Sequence, residues 1–266
     1  MKINAFTRKS HRWNEDRFIY GDNYWIVIDG ATPLIKTKEV NLARLMVAYI
    51  KKNINKYNGR IKERLIKLSK DMYNEFTLDN YDQAYLPSAS IAYVELIDGS
   101  YHVGILGDCE VTFRLKNNQV LRCFTTELAK LDEISLKELI NAAHDNKISV
   151  LKARKYIEET LIKHRRLINQ ENGYQAYTLS LNLPFKEYTF QIDEKEVDEI
   201  YLYSDGFSMA FQHLKIYNEH QEMFNHSLDI KIEVQKIVDT AFFDRDCNRF
   251  PRFKKIDDIT VIQIIK

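Results

Sequence analysis

The stretch Trp25-Ile26-Val27-Ile28-Asp29-Gly30-Ala31-Thr32 carries an aromatic residue and a β-branched run straight into an acid and a glycine. Apolar content and β-branching predict a buried strand, and Asp-Gly predicts a tight turn at its end. Aspartate is depleted inside strands and costly to bury without a partner. The Asp29 carboxylate is therefore either solvated at the turn or neutralised by a cation. Alone, the stretch fits an ordinary strand and turn, because Asp-Gly is a common turn pair. The arrangement recurs, however, at Leu106-Gly107-Asp108 and at Leu202-Tyr203-Ser204-Asp205-Gly206.

Just upstream, a polar turn at Asn14-Glu15-Asp16 enters a short strand, and Gly21-Asp22-Asn23 is a hairpin signal. Antiparallel pairing across that turn would set Asp16 beside Asp29 and collect Glu15, Asp16 and Asp29 at one end of a sheet. Downstream, residues 37–57 and 60–78 show apolar stripes at helical spacing, read as core contacts. Strands are predicted over 90–97, 101–106, 110–115 and 119–124 as an antiparallel meander, then near 177–181, 188–192 and 199–203. Residues 126–172 are charged and lack alternation. They predict a helical insertion with helices near 135–146 and 149–169, the first opened by a Ser135/Glu138 capping box. A helix is expected over roughly 228–242. Residues 259–265 are apolar on nearly both faces, as a central strand requires, and Asp257-Asp258 precedes them. No linker or repeat interrupts the chain, so 1–266 is expected to form one domain.

Composition narrows the function classes. A net charge of +1 over 266 residues gives no electrostatic case for nucleic acid. No apolar run is long enough for a membrane span, and Met1 to Arg8 does not suggest a signal peptide. Three cysteines without a Cys-x-x-Cys pair fit reduced thiols in a cytoplasm. The histidines form no His-Glu-x-x-His pattern. The candidate site is instead acidic: Glu15, Asp16, Asp29, Asp108, Asp205 and Asp257 all fall at strand ends. Such oxygen donors suit Mg²⁺ or Mn²⁺ and not Zn²⁺, and several carboxylates converging without cations would raise one another's pKa.

Asn14-Glu15-Asp16, Val27-Ile28-Asp29-Gly30, Pro87-Ser88-Ala89-Ser90-Ile91-Ala92, Leu106-Gly107-Asp108, Tyr203-Ser204-Asp205-Gly206 and Asp257-Asp258-Ile259-Thr260-Val261 stand in the order found in the type 2C (PPM) metal-dependent serine/threonine phosphatases. Over residues 10–265 the chain resembles that family. The resemblance implies an α+β fold, a four-layer α-β-β-α sandwich of two antiparallel sheets flanked by helix pairs. It implies a centre of two Mn²⁺ or Mg²⁺ ions, with a third in bacterial members, and a phosphorylated protein substrate handled by a cytoplasmic monomer. By resemblance Asp29 bridges the ions, Gly30 gives its carbonyl, Asp205 and Asp257 ligate, Glu15 and Asp16 hold waters, and Asp108 helps bind the third ion.

Three departures stand out. The family's phosphate-binding arginine position is His11, with Arg12 one residue closer and expected to serve in its place. Ala31-Thr32-Pro33 lacks the family's usual residues, including a histidine to act as general acid. Cys109 replaces a serine. These changes keep two other readings open: a non-catalytic protein binding a partner through the insertion, and a phosphatase of small metabolites. Cys109 is read as a buried thiol and not a nucleophile, and His102 as a structural histidine. Lys163 to Arg166 are read as a solvated helix face, and Asp258 as a support for its neighbour.

Overall fold

The computed structural model describes residues 1–35, 41–76, 82–179 and 185–266. Its strands, in chain order, are β1 (Lys2–Arg8), β2 (Asp16–Tyr20), β3 (Tyr24–Ala31), β4 (Ser88–Ile97), β5 (Ser100–Leu106), β6 (Glu110–Leu115), β7 (Val120–Cys123), β8 (Tyr177–Thr178), β9 (Tyr188–Asp193), β10 (Val197–Tyr203) and β11 (Ile259–Ile265). The α-helices are α1 (Leu42–Asn53), α2 (Ile61–Glu75), α3 (Glu127–Asp145), α4 (Val150–Ala153), α5 (Glu158–Arg165), α6 (Asp205–Gln212), α7 (His220–Phe224) and α8 (Ile230–Phe243). One sheet runs β2-β3-β4-β5-β9, with β8 paired to β4; the other runs β1-β11-β10-β6-β7. Every ladder is antiparallel.

Period-two alternation decides which layer each side chain enters. From β3, Trp25 and Val27 point between the sheets and meet Val103, Phe113, Leu202 and Ile262. Ile26 and Ile28 point the other way, onto Met46, Ile50, Leu65 and Leu68 of α1 and α2. The second sheet repeats this. Ile262 and Ile264 of β11 face inward, while Ile259 and Val261 meet Phe207, Val234 and Ile237 of α6 and α8. The layers are therefore α-β-β-α. All four β3 side chains are fully buried, each worth about 1.5–3 kcal/mol against exposure. β11 is apolar on both faces because it is central in its sheet and sandwiched on both sides.

The hairpin forms as expected, with Asp16 opposite Asp29 in register. The expected meander is corrected. β5 and β6 do not pair; the chain crosses from one sheet to the other at Gly107-Asp108-Cys109. The capping box is also corrected. Ser135 lies buried within α3, its hydroxyl 3.0 Å from His164 Nδ1, because the helix already starts at Glu127 and packs Leu128 and Leu131 against Ile168 and Tyr174. Helix α1 is described from Leu42, after Asn41, whose side chain accepts the Arg44 amide; 36–40, 77–81 and 180–184, which hold parts of the helices expected over 37–57 and 60–78 and of the strand near 177–181, lie outside the described residues. β1, α6 and α7 were not anticipated. Among the described residues no helix is long and apolar enough to cross a membrane.

Candidate metal centre

The acids converge because five separate chain segments end at one rim of the sandwich. The β2–β3 hairpin delivers Asp16 and Asp29 side by side. The sheet-to-sheet crossover delivers Asp108, whose amide bonds Ser90 Oγ at 3.2 Å. Strand β10 ends at Ser204, and Asp205 opens α6. Glycine is required there, since a Cβ on Gly206 would lie 1.9 Å from the Asp258 carbonyl oxygen. That close approach seats the Asp205 turn against the Asp257-Asp258 segment. Gly30 does the same for Glu15: its amide donates to the Glu15 carbonyl at 3.2 Å, and a Cβ would meet that oxygen at 2.8 Å.

Asp258 acts as the frame. One of its oxygens accepts the Ser10 amide and hydroxyl at 2.6 and 2.8 Å, the other the Glu15 amide at 2.6 Å. Asp16, only 1% exposed, accepts from Ser204 Oγ at 2.8 Å on Oδ2, while its Oδ1 is buried without a partner. Oδ1 of Asp205 is likewise unpartnered. Glu15 is turned aside, with Oε1 accepting from Thr32 Oγ1 at 2.5 Å and from Asn41 Nδ2.

Burial and mutual repulsion push Asp16, Asp29, Asp108 and Asp205 up. Asp16 rises to about 8, through burial first and then the charges of Asp258 and Asp257. Asp29 lies well above the usual carboxylate range, from burial and then Asp16, Asp205, Asp108 and Asp257. Asp205 is raised by burial, Asp257 and Asp108, and the charge of Lys254 eases it only in part. Asp108 is raised by burial, against the bonds from Ser90 and its own amide. The same field lifts the buried Cys109 thiol well above its ordinary value, so a nucleophilic thiolate is disfavoured.

Lys254 answers this excess of negative charge. Its Nζ lies 2.6 Å from Asp257 Oδ2. Burial would push the ammonium down, but Asp257, Asp205 and Asp29 outweigh it and hold it charged. Its side chain remains 51% exposed, so it reaches in from the rim. Among the described residues, no three His, Cys, Asp or Glu side chains are arranged to hold one ion as they stand. The donor chemistry still fits a hard divalent cation: the donors are oxygens, two of them are orphaned, and a protein cation already leans on the cluster.

A cavity of about 660 Å³ opens beside the acids. Glu15, Asp257 and Asp258 form its acidic side with Lys254 set against Asp257, and Arg12, Arg154 and Arg165 line it elsewhere. Arg12 stacks on Trp13, with its guanidinium carbon 4.9 Å from the ring centroid; Arg44 packs on the same ring at 4.2 Å. Thus the structure gathers Asp16, Asp29, Asp108, Asp205 and Asp257, with Gly30 at the same strand end, and leaves Glu15 and Arg12 at the cavity wall. Lys254 and Arg154 were missed, and the reading of Lys163 to Arg166 as a solvated face is corrected at Arg165, which lines the cavity and donates to Ser88. Only the Lys254-x-x-Asp257 spacing offered a sequence signal.

The fold is that of solved bacterial serine/threonine phosphatases. The chain aligns over 100% of its length and 94% of the other chain with the serine/threonine phosphatase Stp1 from Staphylococcus aureus (TM-score 0.56, 12% identity). With the Mycobacterium tuberculosis serine/threonine phosphatase PstP/Ppp the coverage is 98% and 97% (TM-score 0.59, 9% identity). The catalytic domain of PstP, solved with two manganese ions, gives 98% and 96% (TM-score 0.55, 11% identity). No protein-family model and no curated protein sequence matches the chain. At these identities the likeness establishes the fold.

Proposed function

We propose that this chain, acting as one domain over residues 1–266, is a metal-dependent phosphomonoester hydrolase for phosphoserine and phosphothreonine in proteins. The observation that carries the reading is the set of five crowded aspartates with orphaned oxygens on Asp16 and Asp205. A sandwich that only needed to fold would not keep such repulsion at one rim. The fold shared with phosphatase structures, one solved with two manganese ions, supports it.

Asp29, Asp205 and Asp257 would hold the ions with the Gly30 carbonyl, Glu15 and Asp16 would orient water, and Asp108 would serve a further ion. Bound Mn²⁺ or Mg²⁺ supplies an acidified water and neutralises charge growing on the phosphoryl oxygens. Arg12, held on Trp13 at the cavity wall, binds the substrate phosphate. Asp258 fixes Ser10 and the Glu15 backbone so that the hairpin end and the Asp257 segment keep one geometry. Asp29→Asn should abolish Mn²⁺-dependent hydrolysis of p-nitrophenyl phosphate and of phosphopeptides. Equal rates for variant and wild type would refute the reading.

Two observations favour a non-catalytic phosphatase-fold protein instead: Lys254 is paired with Asp257, and Glu15 is tied to Thr32 and Asn41. Titration calorimetry with Mn²⁺ separates the two, since absence of binding up to millimolar metal belongs to the non-catalytic reading.

A further inference from the structure

The helical insertion supplies two cations to the cavity beside the acids. Arg154 begins the short 3₁₀ turn after α4, and Arg165 ends α5. Both line the same cavity as Arg12, Lys254 and Asp257. Neighbouring side chains make the contrast. Arg166 is spent on an outward ion pair with Asp82 at 2.6 Å. Arg165 has only a neutral partner, donating from Nη1 to Ser88 Oγ at 2.8 Å. Lys254 is already paired with Asp257. Among the described residues, Arg12, Arg154 and Arg165 have no carboxylate within ion-pair distance. Asp132 of α3 feels Arg165 from farther off.

Guanidinium groups half-withdrawn from water without a counter-ion are costly, and their planar forks match phosphate and carboxylate oxygens. The backbone at Arg154 is firmly set. Val150, Ala153 and Ile157 pack with Leu139 and Cys247, and the Val150 amide donates to Asn248 Oδ1 at 3.0 Å. The insertion is thereby docked on the 244–258 segment that carries Asp257.

We propose that Arg154 and Arg165 form a second anion subsite, which makes the protein prefer phosphate esters carrying another phosphate or carboxylate near the scissile phosphate. Arg12 faces the scissile group and the insertion pair faces the neighbouring anion. The inference rests on the phosphatase reading for its substrate, but the subsite can be read without turnover.

The test uses the full chain with Mn²⁺ and two matched phosphopeptides, one flanked by acidic residues or a second phosphate, the other by neutral residues. Wild type should favour the anionic peptide in kcat/KM by about tenfold or more, the scale of charge-assisted hydrogen bonds. Arg154→Gln/Arg165→Gln should bring that ratio near one, and Arg154→Lys/Arg165→Lys should retain part of it. No preference in wild type, or a full preference in the Gln pair, overturns the subsite. If wild type hydrolyses neither peptide nor p-nitrophenyl phosphate, the phosphatase reading fails, and calorimetry on metal-free protein decides the subsite. Pyrophosphate should bind more tightly than inorganic phosphate and lose that advantage in the Gln pair; equal binding of the two anions by wild type overturns the subsite. The Lys pair keeps the result interpretable should the Gln pair misfold.

Discussion

A single lysine offsets part of the charge of the acid cluster. Lys254 is the cation placed where carboxylates crowd, and on the proposed reading its 2.6 Å contact with Asp257 would loosen if a divalent ion took that oxygen. Lys254→Met should therefore tighten Mn²⁺ binding by about fivefold, the strong end for a partly exposed pair. Calorimetric titration reads this directly. Weaker binding in the variant would instead make the lysine a device that orders Asp257. The acids themselves were legible in the sequence because each sits at one end of an apolar strand, and the Gly21-Asp22-Asn23 turn fixed the Asp16–Asp29 register. Lys254, Arg154 and Arg165 were not, because a basic residue among 39 carries no mark of which way tertiary docking will turn it. Glu15 matched its motif, yet local bonds to Thr32 and Asn41 decide where its carboxylate points.

At the scale of elements, the loop from α8 to β11 matters most. Arg252, 3% exposed, donates to Asp244 Oδ2 at 2.8 Å and to the carbonyls of Ala241, Asp244, Phe250 and Lys255. Asp244 in turn accepts amides of Asn248, Arg249 and Phe250. This knot fixes the loop that carries Lys254 and Asp257 and receives the insertion through Cys247. Arg252→Met strands a buried carboxylate and orphans several carbonyls, so it should cost about 3–5 kcal/mol in urea unfolding. A loss below about 1 kcal/mol, the range of ordinary surface changes, would refute the role of the knot. Elements with strong periodicity were foreseen. β1 was not, since Lys2-Ile3-Asn4-Ala5-Phe6-Thr7-Arg8 alternates weakly and owes its strand to pairing with β11. The local signature at Ser135 misled because burial against the rest of the insertion extends α3 upstream of it.

For the whole molecule, the crowded aspartates oppose folding as they ionise, and pH exposes this. Asp16 has its folded pKa raised to about 8 from 3.8, so between those values the native state holds a proton that the unfolded chain releases. The stability it lends is fully present below about pH 4 and is lost as pH rises toward 8. Asp29, Asp108 and Asp205 are raised too and act with the same sign. His220, buried against Thr112 and pushed down to about 3, works the other way: its contribution is present above about 6.5 and lost as pH falls toward 3. Metal-free protein should therefore lose Tm on both sides of a mildly acidic optimum. Asp16→Asn should flatten the alkaline limb, and His220→Gln the acid limb. Mn²⁺ binds ionised carboxylates, so the Tm increment it gives should grow as pH rises from about 5 to 8. Thermal unfolding in chelator and in Mn²⁺ across that range checks all three. A metal-free Tm that climbs steadily from pH 5 to 8 in wild type would mean that the acid cluster is not strained in the folded chain.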